Sequence, residues 1–179
     1  MQDWNVVVTA RDRRFREVLA ALEPLGEVAG TDFFNVLVVK APAGRRLLED
    51  LRRQMARDRV VGAAIAHVVV VEDAFLFQSR EQFEASAPAL LLKRLAVLAG
   101  HSFHVRIHRR GFKGRLSSQI KERRLAQFVQ DPLKARGDHT PVRLEDSGYT
   151  VLLEIVGQRA GPVLWSRTDR ARYPFVSAA

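Results

Sequence analysis

The sequence predicts an α+β protein of two modules: a ferredoxin-like β-α-β-β-α-β module over residues 1–75, followed by a basic α/β module over residues 76–179. Three observations carry this reading. Apolar residues switch repeatedly between unbroken β-branched runs and a helical 3.6-residue period. Between about residues 76 and 100 the composition shifts through a linker helix. Charge splits at the same place: residues 1–75 carry 11 Lys+Arg and 11 Asp+Glu, whereas residues 76–179 carry 18 and 9, so the whole +9 excess lies in the second module. A neutral module joined to a strongly basic one suits a scaffold attached to a surface that meets a polyanion.

In the first module, Asn5 to Ala10 is a valine-rich buried strand. Asp12 is placed to cap a helix in which Phe15, Val18, Leu19 and Leu22 share one face, and Pro24 with Gly26 ends it. Gly26 to Ala29 reads as a short strand, Gly30-Thr31-Asp32 as a turn and Phe34 to Lys40 as a second clear strand. Pro42 suits a first helical turn, after which Leu47, Leu48, Leu51 and Met55 line an apolar face. Ile65 to Val71 closes the β-α-β-β-α-β order, the split βαβ pattern.

Glu72 to Ser79 reads as a loop with Phe75, Leu76 and Phe77 docked on something, and Arg80 to Ala99 as a helix or helix pair interrupted at Pro88. The next strand has two unlike faces: Phe103, Val105 and Ile107 on one, His104, Arg106, His108 and Arg110 on the other. Gly111 to Gly114 is a turn. Ser117 or Ser118 caps a helix to about Val129, with Asp131-Pro132 as its stop. Val142 to Leu144 is a short strand, Tyr149 to Val156 the strongest strand, and Pro162 to Ser166 a candidate partner for it.

Arg109-Arg110-Gly111 closing an alternating strand, Ser117-Ser118 opening a helix, and Arg143 to Gly157 with Val151 to Gly157 as closing strand together resemble a THUMP domain. Glu154 falls at that family's acidic position, and Ala126 stands where many relatives carry glycine. THUMP domains usually follow a ferredoxin-like domain, so the resemblance covers most of the chain. It implies binding of tRNA at the acceptor end and delivery of an RNA-modifying activity. Stand-alone THUMP proteins of this size resemble the adaptor for tRNA cytidine acetylation, which makes an RNA acetyltransferase the first partner to test.

The residue chemistry points the same way independently. Residues 101–136 hold ten Lys+Arg against Glu122 and Asp131. Arg106, His108, Arg109, Arg110, Lys113, Arg115, Lys121, Arg123 and Arg124 are the candidate RNA contacts, spread over a strand face, a turn and the first helical turns. Arginine dominates there, and its planar fork suits phosphate. Arg45, Arg46, Arg52 and Arg53 form a secondary candidate on a first-module helix, offset in part by Glu49 and Asp50. The bland reading of both is a solvated basic face. Gly111-Phe-Lys-Gly114 matches the backbone-clamping loop of KH domains, but a strand precedes it where KH has a helix.

His101, His104 and His108 lack the cysteine or carboxylate that would complete a metal site, and cysteine is absent from the chain. Phosphate-loop, dinucleotide and Ser-His-Asp signatures are missing, so no cofactor, metal or catalytic residue is assigned. The N-terminus lacks a signal-peptide pattern and the longest apolar run is too short to span a bilayer, which leads to the expectation of a cytoplasmic protein without membrane contact. The expected function is that of a non-catalytic, tRNA-binding adaptor presenting tRNA to a separate modification enzyme. Two alternatives stay open: a small RNA-modifying enzyme with an unrecognised active site, and a ferredoxin-like interaction module with an incidental basic face.

Overall fold

A computed structural model describes residues 1–111 and 118–176, with side chains at 118–120 excepted. The chain forms two compact units, one of Met1–Glu72 with the returning segment from Arg170, the other of Asp73–Asp169. The tail thus sits with the first unit, whereas the charge split places it with the second.

The first unit runs β1 (Val6–Ala10), α1 (Phe15–Leu22), β2 (Glu27–Gly30), β3 (Val36–Lys40), α2 (Gly44–Arg57), α3 (Arg59–Ala64) and β4 (Ile65–Val70). Its sheet has the order β2-β3-β1-β4, antiparallel throughout. This is the ferredoxin-like order expected from the β-α-β-β-α-β pattern. β1 lies inside the sheet and its alternating Val6, Val7 and Val8 are all buried, so both faces of this strand are covered, and Val18, Leu22, Leu47, Leu48 and Leu51 supply the helical side of the core. The close approach of α2 to the sheet requires Gly44, where an added Cβ would stand 2.3 Å from the Val70 side chain. Pro42 lies two residues ahead of the helix rather than in its first turn, because Ala43 is the N-cap. α3 was not anticipated. Asp58 starts it by accepting the Val60 N–H at 2.8 Å, and its short apolar stretch runs on into the β4 pattern.

The second unit contains β5 (Phe75–Leu76), α4 (Arg80–Leu92), α5 (Leu95–Leu98), β6 (Phe103–Arg110), α6 (Ser118–Ala135), β7 (Tyr149–Val156), β8 (Arg159–Ser166) and α7 (Arg167–Arg172), the last of which crosses the unit boundary. The sheet order is β5-β8-β7-β6, with β6 and β7 parallel and the other pairs antiparallel. α6 is the crossover between the two parallel strands. Phe103, Val105, Val151, Leu153 and Ile155 bury against Phe83, Ala87, Leu91, Leu125, Val129 and Leu133.

Neither helix breaks at its proline. Pro88 stays inside α4, whose Phe83, Ala87 and Leu91 are buried on either side of it. Pro132 stays inside α6, because Leu133 is fully buried and holds the last turn. That helix ends at Gly137, which takes φ of +83° and lets Asp138 N–H reach the Leu133 carbonyl at 3.0 Å. Val142 makes a single parallel bridge to Phe103 in place of the expected strand. Among the described residues no helix is long and apolar enough to cross a membrane.

Candidate nucleic-acid interface

β6 sets the basic residues of the second unit by simple alternation. Phe103 and Val105 turn into the helical core, leaving His104, Arg106, His108 and Arg110 for the opposite face. The parallel register sets His108 opposite Glu154 of β7. Glu154 has no exposed surface, and it receives the Arg110 guanidinium on Oε1 and stands 3.2 Å from His108 Nδ1 on Oε2. Arg110 and His108 are only 20% and 25% exposed. Arg110 is thus ion-paired to a buried carboxylate, which ties it in place and offsets its charge, while His108 packs against the same carboxylate.

The other candidates divide in the same way. Lys121 is 13% exposed, with its ammonium 2.9 Å from Glu84 and above the Phe83 ring, so it ties α6 to α4. Arg106 is exposed and only loosely paired, at 3.9 Å from Glu122. Glu122 also accepts the Ile107 N–H at 2.9 Å, binding the outer edge of β6 to α6. Arg123 and Arg124 are exposed on α6, and no carboxylate among the described residues pairs with them. Arg109 is half-buried at the end of β6. Lys113 and Arg115, with the Gly111 to Gly114 turn beyond its first residue and Ser117, lie outside the described residues.

Between β6, α6 and the 142–144 segment a groove of about 180 Å³ is lined by Val105, Arg106, Glu122, Arg123, Ala126, Val142 and Leu144. It has an apolar floor with two arginines at its rim, and Leu144 is 69% exposed beside it. Sequence reasoning missed this groove, since Val142 and Leu144 read as strand residues.

The histidines serve three separate purposes. His104 Nδ1 is 2.8 Å from the Ser147 hydroxyl, His101 packs edge-on against Tyr149, and His108 faces Glu154. Among the described residues no three His, Asp or Glu side chains gather as a metal ion would need.

On α2 the arginines of the secondary candidate are matched by carboxylates. Arg45 lies 3.6 Å from Glu72, Arg46 3.9 Å from Asp50, Arg52 2.6 Å from Glu49, and Arg53 3.6 Å from Glu49. Arg172 of the returning tail also reaches Glu49, at 3.0 Å. Hydrogen bonds from Arg52 and then Arg172 hold the Glu49 carboxyl down at about 2. The (i, i+3) and (i, i+4) spacings of Glu49 with Arg52 and Arg53 were legible in the sequence. The Arg172 contact was not.

No family model and no curated protein matches this chain. Solved structures do share its fold. Over 90% of this chain it superposes on PH1313 from Pyrococcus horikoshii Ot3 with a TM-score of 0.57 at 16% identity. Over the same share it matches TrmN from Thermus thermophilus at 0.53 and 21%, and a 4-thiouridine synthetase, solved with RNA and bound ATP, at 0.55 and 10%. The chain covers 54%, 44% and 41% of those chains, about half their length. At these identities the likeness is one of fold: a ferredoxin-like unit followed by a THUMP-like α/β unit.

Proposed function

We propose that this chain binds tRNA through the β6–α6 face of its second unit, as a non-catalytic adaptor that presents tRNA to a separate modification enzyme, an RNA cytidine acetyltransferase being the first candidate. The observation that carries the reading is an exposed arginine pair at the rim of an apolar groove, Arg106 on β6 and Arg123 on α6, with Arg124 exposed on the α4 side of the same helix, all in the part of the chain that holds the charge excess. Guanidinium groups spaced along a strand and a helix can follow a phosphate track. The groove offers an apolar surface to ribose or base. The fold shared with a 4-thiouridine synthetase solved with RNA supports the same direction.

The test is binding to an unmodified tRNA transcript against duplex DNA at several salt concentrations. With about four to six phosphates neutralised, log affinity should fall with log salt at a slope of roughly −3 to −5. Alanine at Arg106, Arg123 and Arg124 together should flatten that slope by about two to three while leaving circular dichroism unchanged. An unaltered slope in the triple variant removes this face from the reading. The adaptor role is tested by nucleoside mass spectrometry after incubation with tRNA and acetyl-CoA plus ATP, or S-adenosylmethionine. Product formed by the pure protein would make it an enzyme.

A further inference from the structure

In the first unit, Phe34 is the most exposed large apolar side chain among the described residues, at 80%. The sequence pattern places it inside a strand, yet β3 begins two residues later. The turn that carries it is tightly built: Thr31 N–H and its hydroxyl both reach the Val36 carbonyl, at 3.2 and 3.0 Å, and the Thr31 hydroxyl accepts the Phe33 N–H at 3.2 Å. Phe34 is therefore displayed on an ordered support. Asn35, at φ of +58°, joins this turn to the β1–α1 connection, since its carbonyl accepts Ala10 N–H at 2.8 Å and its amide donates to Asp12 at 3.1 Å.

That connection is rich in arginine. Arg11, Arg13, Arg14 and Arg16 are all exposed. Arg14 is taken by Glu17 at 3.1 Å, and no carboxylate among the described residues pairs with Arg11, Arg13 or Arg16. Asp12 and Asp32 are the acidic groups that remain beside them. Arg13 holds φ of +63°, a left-handed conformation that glycine or asparagine adopts at less expense. An exposed phenylalanine and a strained arginine on two loops tied together are both unfavourable choices for folding, and strain of this kind gathers at binding sites.

We propose that these loops form a second RNA site, one that takes an unpaired nucleotide: its base stacks on the Phe34 ring and its flanking phosphates meet Arg11, Arg13 and Arg16. An aromatic face beside guanidinium groups is the combination that holds single strands without reading their sequence. A lipid surface also accepts aromatic and basic residues, but one phenylalanine ring buries less apolar surface than a single acyl chain, which by itself gives only marginal, reversible attachment. The inference rests on the RNA-binding reading above and adds to it a site in the neutral half of the chain.

The full chain is titrated with a 12-mer oligoadenylate and with an unmodified tRNA transcript. Three variants are compared: Phe34→Ala, Phe34→Trp, and Arg11→Ala with Arg13→Gly and Arg16→Ala. Trp4 and Trp165 are 3% and 1% exposed, so emission from an exposed indole introduced by Phe34→Trp stands apart from theirs. Phe34→Ala should weaken oligoadenylate binding about tenfold with an unchanged salt slope, Phe34→Trp should restore it, and the new emission should be quenched as RNA is added. The arginine variant should lower the slope by about two. If wild type binds both RNAs while Phe34→Ala matches it and the added emission of the Phe34→Trp variant does not change, this site is overturned and the β6–α6 reading stands. If wild type binds neither RNA, both fall. Loss of binding by Phe34→Ala to phosphatidylserine vesicles, with oligoadenylate binding intact, assigns the loops to a membrane and overturns the proposal.

Discussion

Glu154 is a fully buried carboxylate, and everything that makes it tolerable is on the neighbouring strand. A charge without water needs a partner of opposite sign with good geometry, or it becomes a net loss to the folded state. The parallel register of β6 and β7 supplies His108 directly opposite and Arg110 two residues on. Removing the carboxylate takes from Arg110, only 20% exposed, its ion pair with Glu154. Glu154→Gln should therefore destabilise the protein by about 2–4 kcal/mol in chemical denaturation. Glu154→Leu combined with Arg110→Met should lose less than the two single changes together. Additive losses would show that the two side chains do not depend on each other. By the same reasoning, alanine at Arg110 or His108 should flatten the salt slope of RNA binding less than alanine at Arg123 or Arg124, which are already exposed.

Between elements, the contact of the tail with α2 rests on one carboxylate. Glu49 accepts from Arg52, from Arg172 and from the Tyr173 hydroxyl, the last at 3.3 Å. Its pKa is lowered from 4.5 to about 2 in the folded protein. Because the folded value is the depressed one, the contribution is fully present above pH 4.5 and is lost as pH falls from there toward 2. Glu49→Gln should thus be less stable than wild type at neutral pH and approach it near about pH 2.5, as read by thermal unfolding across that range. A constant difference between the two proteins would separate Glu49 from the tail contact. The elements themselves were mostly legible beforehand: β6 and β7 lie where alternation and β-branched runs placed them, and β1, β3 and β4 differ only at their ends. What was hidden depends on distant partners. Pro132 read as a stop, and Pro88 as an interruption, because local rules weigh the proline and cannot see that Phe83 and Leu133 are buried against distant residues. The tie of Lys121 to Glu84, 37 positions away, could not be seen in the sequence.

At the scale of the whole molecule, the division of the chain decides which part can be studied alone. The charge split places the basic module at residues 76–179, and a fragment cut just inside it, residues 80–179, removes Phe75, Leu76 and Phe77 from the second unit. Phe77 is 1% exposed and packs 5.2 Å, centroid to centroid, from Phe83, while Phe75 and Leu76 add an edge strand to β8. Loss of one such aromatic costs about 3–5 kcal/mol, a large share of the stability of a domain this size. The same fragment keeps the segment from Arg170 that belongs with the first unit, so Phe175 and Val176 would lose their cover. Residues 73–169 should accordingly unfold in one cooperative transition, whereas residues 80–179 should melt at lower temperature with a shallower transition or not fold. The folded 73–169 fragment should keep weak, salt-sensitive RNA binding, because Arg106, Arg123 and Arg124 remain. It should lose preference for a tRNA transcript over unstructured RNA, if the first unit helps to place a folded ligand. Binding competition with oligoadenylate measures this directly. Full tRNA preference in the fragment would leave the first unit as a folding support, while its loss, with most of the salt slope retained, would divide the work: the main attraction in the strongly basic second unit and discrimination in the first.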